Sequence, residues 1–77
     1  MTPLIRNGWL IVPYSGPELA RVFIAVGDRA DAWRPAYLDW HDGRRVAKVR
    51  PPEPTGRARA VWLRIDDTAT RIGKVVL

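Results

Sequence analysis

Cysteine is absent from this sequence, and histidine occurs once, as His41. Neither a disulfide staple nor a zinc cage of Cys and His can therefore hold the fold together, and the lack of thiols fits a reducing compartment. Lysine is also scarce: of thirteen basic residues, Lys48 and Lys74 are the two lysines and the other eleven are arginines. With many alanines beside it, that bias reads as GC-rich coding more than as function. No run approaches the roughly 20 consecutive apolar residues of a membrane helix, and the chain does not open on a basic segment followed by an apolar one. The expectation is a soluble protein, not exported by a signal and with no membrane partner. The glycines form neither a phosphate loop nor a dinucleotide fingerprint, so no nucleotide cofactor is expected.

What is present suits one small domain spanning residues 1–77. Apolar residues make up 47% and charged residues 27%, within the globular range. A core of this size supplies about 3–5 kcal/mol unless assembly adds to it. Seven prolines and six glycines cut the chain into runs too short for ordinary helices and rich in Val, Ile, Trp and Tyr, the signature of strands. Gly8 to Tyr14 reads as the first strand, with Pro13 placing it at an edge or a bulge. Arg21 to Val26 alternates Val22, Ile24 and Val26 against Arg21, Phe23 and Ala25; a helix over Gly16 to Ala25 competes, but the β-branched residues favour the strand. Gly27 to Ala32 is an exposed connection. Trp33 begins a run whose strand, Pro35 to Trp40, sets Ala36, Leu38 and Trp40 against Tyr37 and Asp39, with Trp40 assigned to the core. Asp42-Gly43 turns that strand into Arg44 to Arg50, and Pro51 to Gly56 is a loop. Arg57 to Asp66 places Val61, Leu63 and Ile65 on the core face and Trp62 and Arg64 opposite. Asp67 to Thr70 turns the chain, and Ile72 to Leu77 closes it as a docked strand. Met1 to Asn7 is either an arm or an added strand. Short strands with tight turns predict an all-β fold, a small antiparallel β-sandwich or a small β-barrel.

Candidate chemistry is sparse. His41 lies between Asp39 and Asp42 but has no nucleophile beside it, and a His-Asp-Gly sequence at a hairpin tip is a turn before it is a base. Asp66-Asp67 lacks calcium-loop spacing and reads as a solvated strand end. No catalytic residue, cofactor or metal is expected, and the protein is read as a non-enzyme. The net charge of +5 lies wholly in one segment, where Arg44, Arg45, Lys48, Arg50, Arg57 and Arg59 face Glu53 alone; such a patch is either a solvated face or a site for nucleic acid or an acidic protein. Trp9, Trp33, Trp40 and Trp62 supply more large rings than so short a chain usually carries. Trp62 and Arg64 point away from the core face of their strand, toward a partner or toward a neighbouring loop that shields them. Tyr37, if it shares a face with the Arg44 to Arg50 strand, would form a base-stacking surface.

Three runs, Trp33-Arg34-Pro35-Ala36-Tyr37-Leu38-Asp39-Trp40, Val46-Ala47-Lys48-Val49-Arg50 and Val61-Trp62-Leu63-Arg64-Ile65-Asp66, resemble in type and order those of a known family. That family comprises short immunoglobulin-like structural proteins from the head and tail modules of actinobacterial tailed phages and prophages. Ile72-Gly73-Lys74-Val75-Val76-Leu77 is similar to its closing strand, whereas the short N-terminal half and the proline-rich loop depart from its pattern. The resemblance implies an immunoglobulin-like sandwich in a virion, made in the host cytoplasm and locked into a symmetric multimer. Its partners would be capsid, portal or tail proteins, reached through Trp62, Arg64, Phe23 and Tyr37, and its basic segment would meet acidic capsid surface or DNA. The alternatives are a small basic nucleic-acid-binding β-barrel and an accessory domain of an enzyme; flanking genes would separate the three.

Overall fold

The computed structural model describes residues 2–77 as eight strands without a helix. They are β1 (Leu4–Arg6), β2 (Trp9–Pro13), β3 (Val22–Val26), β4 (Arg34–Pro35), β5 (Tyr37–His41), β6 (Arg44–Val49), β7 (Ala58–Ile65) and β8 (Thr68–Val76). Two antiparallel four-stranded sheets result, ordered β1-β2-β6-β5 (sheet A) and β4-β3-β7-β8 (sheet B). With the two-residue β4 counted as a strand added beside β3, the remaining seven follow the immunoglobulin order, the first, second, fifth and fourth in one sheet and the third, sixth and seventh in the other. The sheets stay separate and do not close into a barrel. No helix of the described residues is long and apolar enough to cross a membrane.

The core follows from alternation along the strands. Leu10, Val12 and Tyr14 of the β2 segment and Ala47 and Val49 of β6 meet Val22 and Ile24 of β3 and Val61 and Leu63 of β7 between the sheets, all buried. Leu10, Val12, Ala47 and Val61 are fully inaccessible. The Tyr14 hydroxyl donates to the carbonyl of Pro17 and so ties the crossing from β2 to β3 back onto the core. Residues 15–21, where a helix competed with a strand, form this crossing, and β3 begins at Val22.

Two hairpins share one turn chemistry. Asn7-Gly8 joins β1 to β2, Asp42-Gly43 joins β5 to β6, and both central residues of each turn have positive φ, from 51° to 77°. The N-terminal segment is therefore an added strand over Leu4–Arg6; Met1 lies outside the described residues. Pro3 is buried against β8, where a Cβ on Gly73 would stand 3.1 Å from its ring. Leu77 is docked as expected: its carbonyl accepts from the Thr55 hydroxyl at 2.8 Å, and its N–H donates to Arg57 at 3.1 Å.

Two expectations need correction. The single strand expected over Pro35 to Trp40 is cut: Arg34–Pro35 pairs with β3 in sheet B, and Tyr37–His41 pairs with β6 in sheet A. Pro35 has no N–H with which to extend a ladder, and the chain changes sheets at Ala36, whose N–H donates to Val22 at 2.8 Å. The last strand starts at Thr68, not Ile72, because Asp66-Asp67 closes a hairpin pairing Ile65 with Thr68. Asp66 adopts a φ of 53°, tolerable for aspartate, and its carboxylate accepts from the Arg21 N–H at 3.0 Å. A register shift between Val61 and Trp62 leaves Ile72 as the extra residue of a bulge.

Truncation in so thin a core is severe. Leu10→Ala is expected to cost about 2–5 kcal/mol, most of what a domain of this size has, so urea denaturation should find the isolated variant largely unfolded. Burial also pushes the Tyr14 hydroxyl above its ordinary value of 10.0, against the opposing pull of Arg45. In the unfolded chain the phenol ionises at that ordinary value, so this contribution is complete below about pH 10 and is lost as the pH rises through the folded-state value. Thermal melts across that range should show the loss in the wild type and a flatter profile for Tyr14→Phe.

Candidate functional site

Alternation also fixes what faces outward. On sheet B the outer residues include Phe23 of β3 and Trp62 and Arg64 of β7, with Phe23 directly opposite Arg64. The Arg64 guanidinium lies 4.2 Å from the centre of the Phe23 ring and 5.0 Å from that of Trp33. The Trp62 indole N–H donates to the Gly27 carbonyl at 3.0 Å, and the Gly27 N–H donates to Ala60 at 2.9 Å. The two ends of the Gly27 to Trp33 connection thus pack against this face, and Phe23, Trp33, Trp62 and Arg64 are all partly buried. Arg64 Nε finds no acceptor there; the cation is held by rings and not by a carboxylate.

Sheet A treats its outer face differently. Trp9 of β2 meets Tyr37 of β5 edge to face, with ring centres 6.0 Å apart. Arg50 sits 3.7 Å and Lys48 4.5 Å from the Trp9 ring centre, and Arg50 Nη1 donates to the Gly8 carbonyl at 3.0 Å. Lys48 Nζ bonds the Asp39 carboxylate at 2.7 Å. That bond, with the Trp40 N–H also donating to Asp39, holds the Asp39 carboxyl below its ordinary range. Arg6 lies opposite Trp9, and Arg44 opposite His41. No loop closes this face, and Tyr37 is 65% exposed.

The four residues expected to form one interface therefore divide. Phe23, Trp62 and Arg64 cluster on sheet B, whereas Tyr37 lies across the sandwich, because β5 pairs with β6 and not with β3. The basic segment divides too. Arg44, Lys48 and Arg50 line the outer face of sheet A, while Arg45 points to the other side, bonds Glu18 at 2.8 Å and stacks on Trp40 at 5.3 Å. Arg57 and Arg59 lie beyond the crossing to sheet B, where Arg59 donates to the Glu53 carbonyl at 3.1 Å. Trp40, expected in the core, is 64% exposed because β5 is the edge strand of its sheet. Sequence reasoning missed Trp9 and Arg6 as members of the basic face; the Asn7-Gly8 hairpin signal between them would have paired them. His41 Nε2 stands 3.5 Å from the Asp42 carboxylate at the hairpin tip. Among the described residues no three His, Asp or Glu side chains converge as a metal site.

The chain matches no protein-family model, no curated protein and no solved structure.

Arg64→Met keeps an unbranched stem between the two rings and removes an N–H without an acceptor, so its stability in urea should stay within about 1 kcal/mol of wild type. Arg64→Ala forfeits the stacking as well and should lose about 1 kcal/mol or more.

Proposed function

We propose that this chain is a non-enzymatic structural protein of a tailed-phage or prophage particle, acting by protein–protein contact at the head, the head-to-tail joint or the capsid surface. The observation that carries this reading is the strand order, β1-β2-β6-β5 over β4-β3-β7-β8. This is the immunoglobulin-like arrangement implied by the motifs from Trp33 onward. The same motifs imply a location in the virion, after synthesis in the host cytoplasm.

Two further features support the reading. A cysteine-free sandwich with so thin a core gains stability when it is locked into a symmetric assembly that binds only its folded form. It also has an edge suited to such contact. β8, the longest strand at nine residues, ends its sheet with one side unpaired and with Val76 65% exposed. Its free N–H and C=O groups offer a neighbouring capsid, portal or tail protein a strand to pair with. The other edge strands, β1, β4 and β5, are shorter, at three, two and five residues, and offer less.

Quantitative mass spectrometry of purified particles from the source tests the proposal. Abundance near that of the major capsid protein assigns a decoration or tail-tube role, and abundance equal to a single ring assigns a connector. Absence from the particle contradicts the reading.

A further inference from the structure

The outer face of sheet A combines positive charge with accessible aromatic surface, and protein–protein contact in a particle does not by itself require that combination. Arg6 on β1, Arg44 and Lys48 on β6, and Arg50 just after β6 all lie on it; opposing them are Asp42 at the hairpin tip, 3.5 Å from His41 Nε2, and the carboxylate of Asp39. The carboxylate is already bonded to Lys48. Between these cations lies a groove of about 230 Å³ lined by Arg6, Asn7, Trp9, Asp39, His41 and Lys48, among others. One wall of the neighbouring surface is the Tyr37 ring, 65% exposed and braced at its edge by Trp9.

We propose that this face binds single-stranded nucleic acid, with Tyr37 stacking on a base and with Arg6, Arg44 and Arg50 contacting phosphates. Each part follows from the geometry. A phenol ring that is open to solvent but braced by a neighbouring indole is a stacking platform whose ordering cost is met in part. Arg50, stacked on Trp9 and anchored to the Gly8 carbonyl through Nη1, is fixed in place with its remaining N–H groups able to reach a phosphate. The face is sheet and not a projecting helix, so it reads the flat face of an unpaired base, which a duplex keeps stacked. Four adjacent strands at about 4.8 Å spacing give a width of ~14 Å, enough for a few nucleotides, the low end for such surfaces. Asp39 restrains the affinity by repelling phosphate and by holding Lys48.

Fluorescence anisotropy with labelled dT12, U12 and a 12-base-pair duplex, measured across a salt series, tests the proposal on the intact chain. Salt-sensitive binding of a single strand is expected, with log Kd against log salt having a slope of magnitude about 2 for three phosphate contacts. Tighter binding of dT12 or of U12 assigns DNA or RNA as the source of the strand. Tyr37→Ala, at an exposed edge position, should weaken binding about tenfold. The Arg6→Ala, Arg44→Ala double variant should flatten the slope by about 1.4. Asp39→Asn should tighten binding and steepen the slope by about 0.7 as Lys48 is freed, an effect of opposite sign that damage to the fold would not produce. Arg71→Ala, on β8 of the other sheet, should change little. Failure to bind either single strand at low salt, duplex binding as tight as single-strand binding, or affinity indifferent to both Tyr37 and Asp39 would overturn the proposal. None of these outcomes bears on whether the chain is found in particles.

Discussion

One apolar layer between two sheets sustains this molecule, and no disulfide is available to reinforce it. Each strand can commit only alternate residues to that layer, and the sequence fills those positions with aliphatic side chains of moderate size: Leu10, Val12, Ile24, Val61 and Leu63. Tyr14 is the ring admitted to that layer; the tryptophans, Phe23 and Tyr37 are left to the outer faces or the edge. Most of the surface chemistry follows from this constraint, because a tryptophan that does not fit between the sheets must be covered from outside or remain exposed.

Arginine and lysine provide most of that cover. Their stems lie along the rings while their charged ends stay near water, so an arginine-rich chain can cap Trp9, Trp33 and Trp40 without a second core. The two faces then diverge. On sheet B the ends of the Gly27 to Trp33 connection pack on the face, through the Trp62 bond to Gly27 and Trp33 beside Arg64; the aromatic surface there is partly buried. On sheet A no such connection exists, because β5 and β6 are joined by the two-residue Asp42-Gly43 turn. The cations there cap Trp9 and leave Tyr37 open. The sandwich thus has one outer face whose rings are partly buried and one that leaves Tyr37 open, while the long β8 strand ends its sheet with one side unpaired.

Much of this was legible in the sequence where the information is local. The alternation of Arg57 to Asp66, the Asp42-Gly43 turn, the proline loop and the docked C-terminus each depend on residues within a short window. Sheet membership does not. Tyr37 and Phe23 look equivalent in the sequence, yet Pro35 ends one ladder and Ala36 carries the chain to the other sheet, which places the two rings on opposite sides. Arg44 and Arg59 read as one basic patch until the loop between them crosses the sandwich. Trp40 has inward parity but sits on an edge strand, where an inward-facing position need not meet the opposite sheet. Asn7-Gly8 carried the same turn chemistry as Asp42-Gly43, but only three residues precede it in β1, too few for their own pattern to declare a strand.

Hydroxyl-radical footprinting of the isolated chain, read residue by residue for its aromatic side chains, tests most directly the claim that one face shields its rings and the other leaves Tyr37 open. Tyr37 and Trp40 should oxidise fastest, with Trp33, Trp62 and Phe23 slower because Arg64 and their packing on sheet B partly bury them. Oxidation of Trp62 and Phe23 as fast as that of Tyr37 would mean that the rings of sheet B are not shielded, and would contradict the division of the two faces.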